Sequence, residues 1–167
     1  MGQDSDKVAY VCGPLTELGR WFLIGWLVGW FVRWRIKRFY SKIADVCEEV
    51  LGKRAFVPHE HFDPIKHAHF TPQQVYENER TQVCEKTKVL IVVAVAPSWG
   101  GGIEVQMANH LGVPIIVLHP EKKKISRLLR GIPVIVEIIP YASQKIALWS
   151  LRAQLDVCIL KARWKAA

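Results

Sequence analysis

The chain has 167 residues, which is enough for one domain, and half of them are hydrophobic, so it can bury a core of its own. Its formal net charge of +8 favours anionic partners in general, such as phosphates, nucleic acids or acidic lipids. The four cysteines (Cys12, Cys47, Cys84 and Cys158) form no CxxC pair and are too sparse for a small disulfide-stapled scaffold. The polar stretch from Met1 to Lys7 does not resemble a signal peptide. A cytoplasmic protein with reduced thiols is therefore expected.

Short apolar runs alternate with helical patterns along the chain. The runs predict buried strands at Val8–Cys12, Ala55–Val57, Val89–Val95, Ile115–Leu118 and Val134–Ile139. Apolar spacing and capping signals predict helices at 35–51, 71–86, 104–110, 126–130 and 141–159. This alternation indicates an α/β fold with a five-stranded parallel sheet, Rossmann-like or flavodoxin-like, flanked by helices. The turns after the strands, at Gly13, His59, Pro97 and His119, should then converge on one ligand site.

The segment from Trp21 to Trp34, WFLIGWLVGWFVRW, does not fit that alternation. Its tryptophans recur on roughly one helical face, and its apolar run of twelve residues before Arg33 is shorter than the roughly 20 residues that a bilayer span needs. Three interpretations stay open: an apolar helix or lid that contacts another subunit, a helix that lies on a membrane surface, or a part of the core.

The central strand runs directly into SWGGGIE, residues 98–104, and then into a helix. Glycines let backbone amides approach a ligand closely, and the amides of a helix N-terminus favour an anion such as a phosphate. Ser98 adds a hydroxyl group, and Glu104 is expected on the first helical turn. A carboxylate there could take part in chemistry or could only complement the helix dipole.

Three further motifs accompany this loop: YVCG at 10–13, ENER at 77–80 and SRLLRG at 126–131. Together the four motifs resemble the nucleoside 2-deoxyribosyltransferase superfamily, and most closely its 2′-deoxynucleoside 5′-monophosphate N-hydrolase branch. The resemblance covers roughly Val8 to Leu155 apart from the tryptophan-rich segment. It implies one domain over 1–167 with an apolar insert at 21–34. It also implies a dimeric N-glycosidase that hydrolyses the base–sugar bond of (deoxy)nucleoside 5′-monophosphates.

The resemblance assigns catalytic roles to three positions. Glu104 matches the nucleophile that traps the sugar at C1′, and Tyr10 matches the tyrosine that orients this carboxylate. The family's acid on the third helix falls on Glu79 when the motif is anchored on VYE at 75–77. It falls on Arg80 when residues are counted back from the central strand. Only Glu79 could keep the function of an acid.

The resemblance also implies a set of substrate-binding positions. These are Gly13, His61, Ser98, Gly100, Gly102 and Ser126. Ser126 matches a serine that reaches the 5′-phosphate from a neighbouring subunit, so a homodimer and a monophosphate substrate are expected. The basic residues nearby (Lys124, Arg127 and Arg130) could assist the phosphate or could form a solvated turn.

No cofactor, metal or nucleic-acid partner is expected. The histidines at 59, 61, 67 and 69 lack the cysteine or carboxylate ligands at defined spacing that are typical of zinc sites. The basic clusters at 33–38, 122–124 and 161–165 accompany no nucleic-acid motif. Three alternatives remain: a deoxyribosyltransferase that exchanges bases, a non-catalytic nucleotide-binding module, and an effector that contacts the membrane surface through 21–34.

Overall fold

The computed structural model describes residues 6–14, 26–63 and 66–165. Its elements in chain order are β1 (Val8–Cys12), α1 (Trp26–Leu51), α2 (Pro58–His61), α3 (Pro72–Lys86), β2 (Thr87–Val93), α4 (Trp99–His110), β3 (Ile115–Pro120), α5 (Arg127–Arg130), β4 (Ile135–Tyr141) and α6 (Gln144–Lys165). The strands form one parallel sheet in the order β1-β2-β3-β4. Helices α1 and α6 contact each other, as do α3 and α4, and a separate hydrophobic cluster accompanies each pair. The α/β class and the parallel sheet are confirmed.

The described part of the sheet has four strands, and the prediction of five was wrong. The missing strand is the short run Ala55–Val57, in which only Phe56 forms a bridge, to Tyr10 of β1. The Phe56 N–H donates to the Ala9 carbonyl at 2.8 Å, and its carbonyl accepts from the Val11 N–H at 2.9 Å. Pro58 then begins α2, and a proline has no N–H with which to continue a ladder. The expected edge strand is therefore reduced to one residue beside β1.

Two helices begin earlier than the sequence predicts. Helix α4 begins at Trp99 because the Ser98 side chain caps it, accepting from the Gly101 N–H at 3.2 Å. The three glycines therefore lie in the helix itself, and Glu104 lies on the second turn, not on the first as expected. Helix α1 begins at Trp26, so much of the tryptophan-rich segment continues directly into the predicted helix. Residues 21–25 lie outside the described part of the chain.

Strand β2 is one of the two inner strands of the sheet, and six of its seven residues are buried. It pairs with β1 on one side and with β3 on the other, which explains the continuously apolar run in the sequence. The carboxyl ends of β1 and β2 lie next to each other, and α4 begins a few residues after β2. No helix in the described ranges is long and apolar enough to cross a membrane.

Candidate active site

A cavity of about 500 Å³ is lined by residues that follow β1, by the α2–α3 connection and by the start of α4. Two groups of lining residues differ in chemistry. We call Glu79, Ser98, Gly100, Gly101 and Glu104 the carboxylate wall, and Phe62, His67, Ala68 and Phe70 the aromatic wall. The remaining lining residues are Val11, Gly13, Tyr40, Pro58, Pro72 and Val75.

Glu104 is a buried carboxylate whose side chain reaches the cavity. The hydroxyl of Tyr10, itself completely buried, donates to Glu104 Oε1 at 2.5 Å. Burial raises the pKa of Glu104, whereas hydrogen bonds from Cys12 and Tyr10 lower it. These two donors therefore favour the ionised form of a carboxyl group that burial alone would keep neutral.

Tyr10 is held in place by its packing. Its ring stacks on Phe56 with a centroid separation of 5.5 Å. Burial, followed by the charge of Glu104, raises its pKa well above the ordinary value for a tyrosine. The phenol therefore remains protonated and acts as a fixed hydrogen-bond donor to the carboxylate.

Glu79 is the second carboxyl group at the cavity. Burial, and secondarily the negative charge of Glu104, raises its pKa to about 7. Pro72, Val75 and Glu79 line the cavity at helical spacing i, i+3 and i+7, so one face of α3 points there. Arg80, the alternative left open by the sequence, is exposed and does not line the cavity.

The start of α3 fixes which face of the helix reaches the cavity. Thr71 and Gln74 form a capping box, in which Thr71 Oγ1 accepts from the Gln74 N–H at 3.2 Å and Gln74 Oε1 accepts from the Thr71 N–H at 2.9 Å. Such a cap sets the first turn of a helix. The N-terminus predicted from the sequence is confirmed, and the position of Glu79 follows from it.

Two glycines allow close approach between the elements that carry the site. A Cβ on Gly13 would lie 2.3 Å from Tyr40 Oη, and a Cβ on Gly101 would lie 3.2 Å from Cys12 Sγ. By contrast, a Cβ on Gly100 would meet no atom within 4 Å. The first turn of α4 thus packs closely against β1 on one side and leaves open space on the cavity side, where its backbone amides and dipole would favour an anion.

The aromatic wall lies on the connection between α2 and α3. The rings of Phe62 and Phe70 meet edge to face at 5.3 Å. His67 Nδ1 accepts from the Asp63 N–H at 3.1 Å. In the neutral ring this hydrogen bond places the proton on Nε2, and Nε2 has no partner among the described residues. The wall therefore combines flat apolar surfaces with an N–H donor.

No local sequence pattern predicts the aromatic wall. The sequence predicts a loop from His59 to Pro72, and among its histidines only His61 is expected to bind the substrate. The available signal was the presence of two phenylalanines in a polar loop beside the predicted ligand edge. The buried Asp63 carboxylate, which is paired with Lys37, holds the start of this connection in place.

The nine predicted site residues fall into three groups: five that line the cavity, one that lies behind it and three that lie elsewhere. Glu104, Glu79, Gly13, Ser98 and Gly100 line the cavity, and Tyr10 lies directly behind Glu104.

Three predicted substrate-binding residues lie elsewhere in this single chain. His61 is exposed and stacks on Phe56, with ring centroids 4.4 Å apart. Gly102 is on α4 but does not line the cavity. Ser126 Oγ accepts from the Leu128 N–H at 3.1 Å and caps α5. Its role across a subunit contact stays a prediction. In the described ranges no group of three or more His, Cys, Asp or Glu side chains could hold a metal ion.

The solved structures that are similar to this chain include two that we describe. A CMP N-glycosidase, BcmB, from Clostridium botulinum has a TM-score of 0.59 and 24% sequence identity, over 73% of this chain and 93% of that chain. A conserved protein from Enterococcus faecalis V583 has a TM-score of 0.58 and 14% identity, over 89% of this chain and 98% of that one. No protein-family model and no curated protein matches the chain. At these identities the likeness establishes the fold.

Proposed function

We propose that this protein is a nucleotide N-glycosidase that hydrolyses the base–sugar bond of (deoxy)nucleoside 5′-monophosphates, with Glu104 as the nucleophile. The observation that carries the proposal is the hydrogen bond from the buried Tyr10 hydroxyl to Glu104, at a cavity that a second carboxyl group, Glu79, also lines. The fold that the chain shares with a solved CMP N-glycosidase supports this class of reaction.

The first step forms a covalent glycosyl-enzyme. Tyr10 holds Oε1 of Glu104, which leaves Oε2 to attack C1′ of the sugar. The C1′–N bond breaks as the new ester bond forms, and its electron pair departs with the base. Protonated Glu79 supplies the proton that neutralises the leaving base. A carboxyl group whose pKa is about 7 is well suited to this work near neutral pH.

The second step returns the enzyme to its starting state. Glu79, now ionised, takes a proton from a water molecule whose oxygen attacks C1′. The ester bond to Glu104 breaks, and the products are the free base and a sugar 5-phosphate with a hydroxyl group at C1′. Two inversions at C1′ give overall retention of configuration.

The cavity offers complementary surfaces for the two ends of a nucleotide. Phe62 and Phe70 provide apolar faces for a planar base, and the Nε2–H of His67 could donate to a ring nitrogen or carbonyl of that base. The amides of the first turn of α4, around Ser98 and Gly100, suit an anion and would bind the 5′-phosphate. We extend the proposal to a homodimer in which Ser126 of a second subunit completes the phosphate site.

The test is release of free base from a panel of ribonucleoside and deoxyribonucleoside monophosphates, followed by chromatography. We expect base and sugar 5-phosphate in equal amounts from the parent protein, and none above background from Glu104→Gln. A parallel reaction with a second free base distinguishes a transferase, which would form a new nucleotide. The proposal fails if no monophosphate releases base. Ligand-dependent thermal stabilisation without turnover would instead indicate a non-catalytic binding module.

A further inference from the structure

Residues 29–35 of α1 lie outside the described hydrophobic core clusters. Phe39 is the first residue of this helix in the described core cluster, and Ile36 packs partly against the same cluster. None of residues 29–35, which form about two helical turns, belongs to either of the two described core clusters. The proposed glycosidase chemistry does not use these turns.

One face of these turns carries exposed aromatic rings. Trp30 is 61% exposed, Phe31 is 48% exposed and Trp34 is 44% exposed. Phe31 and Trp34 stack on each other with centroids 6.0 Å apart, so they form a continuous apolar surface. Large aromatic side chains grouped in this way on a surface indicate a site of interaction.

Basic side chains accompany the rings. The Arg35 guanidinium lies 5.7 Å from the centroid of the Phe31 ring, and that of Arg38 lies 5.3 Å from the Trp34 ring. Residues 26–44 contain five Lys or Arg residues and no Asp or Glu. We call Trp30, Phe31, Trp34, Arg35 and Arg38 the aromatic–basic stripe.

We propose that the aromatic–basic stripe binds the surface of an anionic lipid bilayer. Tryptophan rings favour the interfacial depth of a membrane, where one edge is apolar and the other is wet. Arginines beside them reach lipid phosphates, and a helix with this arrangement lies in the plane of the interface. The sequence just before the helix, WFLIG at 21–25, is uncharged and extends the apolar composition. No described helix meets the requirements for a membrane span.

Charge disfavours a second copy of this chain as the occupant. A two-fold contact would place the same patch of both subunits face to face. It would bring Arg35 and Arg38 of one copy close to those of the other, with no acidic residue between 26 and 44 to neutralise them. An anionic lipid surface supplies the opposite charge over the whole length of the stripe.

The experiment is co-sedimentation of the full chain with vesicles of phosphatidylcholine alone and of phosphatidylcholine mixed with phosphatidylglycerol. We expect binding to the anionic vesicles, little binding to the neutral ones, and a decrease with added salt. Arg35→Glu/Arg38→Glu should weaken binding at least tenfold, because each basic residue near an anionic surface contributes about fivefold in affinity. Trp30→Ser/Trp34→Ser should also lose most of the binding while the positive charge is kept.

The matched control is Arg80→Glu/Lys86→Glu on α3, where both side chains are exposed and the change in net charge is the same. It should weaken vesicle binding much less than the Arg35/Arg38 pair does. Circular dichroism and thermal unfolding show that each variant is folded.

The proposal is overturned if the parent does not sediment with anionic vesicles, or if the control loses as much binding as the Arg35/Arg38 variant. Self-association that both stripe variants abolish, in a protein that ignores vesicles, would also overturn it in favour of a subunit contact. Base release from monophosphates is measured separately, so the failure of either proposal leaves the other standing.

Discussion

The two walls of the cavity are built in different ways. The carboxylate wall is carried by regular elements: Glu104 on α4 and Glu79 on α3, with Tyr10 on β1 behind them. The aromatic wall is carried by the irregular connection between α2 and α3, which presents Phe62, His67 and Phe70. In the proposed mechanism, the parallel sheet and its helices hold the groups whose mutual distances matter for bond breaking, whereas the connection holds groups that only need to accept a flat ligand.

This difference predicts that the two walls affect different kinetic constants. Changes in the carboxylate wall should act on the chemical step and thus on kcat. Changes in the aromatic wall should act on binding and thus on KM. The following variants test that division, from the largest expected effect to the smallest.

Replacement of the proposed nucleophile should have the largest effect. Glu104→Gln keeps the shape of the side chain but removes the attacking oxygen anion, so we expect kcat for base release to fall about a thousandfold or more. Base release at the parental rate would contradict the assignment.

The stability of the same variant provides its control. Burial raises the pKa of Glu104 in the fold, so the folded state binds this proton more tightly than the unfolded chain does. The ionised group therefore costs stability as pH rises above the ordinary carboxyl range. Glu104→Gln should unfold at a higher temperature than the parent at alkaline pH, which would show that the loss of activity is not a loss of fold.

The proposed acid should have the next largest effect. Glu79→Gln cannot donate the proton, and we expect kcat/KM to fall about a hundredfold to ten-thousandfold. In the parent, kcat/KM should decrease as pH rises through about 7, because the protonated form of Glu79 disappears there. The variant should lack this decrease.

The exposed neighbour of Glu79 provides a matched control. Arg80→Ala changes the adjacent position on α3, the alternative match to the family motif, and should leave the pH profile as in the parent. Glu79→Asp should restore part of the activity. If kcat/KM of Glu79→Gln still decreases as pH rises through about 7, another group is responsible for that decrease.

Loss of the orienting hydroxyl should have an intermediate effect. Tyr10→Phe removes a hydrogen bond to a charged group, which contributes about 1.5–3 kcal/mol, so we expect kcat to fall about tenfold to a hundredfold. We expect a smaller decrease in kcat for Phe56→Leu, which alters the ring stacked on Tyr10 but keeps the hydroxyl group. Equal losses in the two variants would mean that packing alone is responsible.

The aromatic wall should give the smallest change and a different kinetic signature. Phe70→Ala should raise KM about tenfold, the loss expected for a stacked ring, and should leave kcat nearly unchanged. Phe31→Ala removes an exposed phenylalanine of α1 that does not line the cavity and should change neither constant. A fall in kcat with an unchanged KM for Phe70→Ala would contradict the prediction that the aromatic wall acts on binding alone.

Much of the fold could be predicted because local signals are strong where the sheet is buried. Continuous apolar runs predict β1 to β4, and the Thr71 to Gln74 pattern predicts the start of α3. The second predicted strand was wrong because a proline at position 58 interrupts the ladder after one bridge. The predicted start of α4 was too late because three consecutive glycines are typical of a loop. In the structure the cap from Ser98 stabilises them in the first helical turn.

The sequence predicted one wall of the site better than the other for the same reason. Glu79, Ser98 and Glu104 lie in motifs on regular elements, so their spacing carries information. Phe62, His67 and Phe70 lie on a connection whose path depends on contacts such as that of Lys37 with Asp63. Those two residues are distant in the chain, and no local pattern indicates that they meet.

The measurement that tests the central claim most directly is the configuration of the product when methanol competes with water. A covalent intermediate on Glu104 predicts a methyl glycoside 5-phosphate with the same β configuration as the nucleotide, which proton NMR identifies. The α-anomer would mean direct displacement by solvent and would contradict the role of Glu104 as nucleophile. The absence of any base release would contradict the account as a whole.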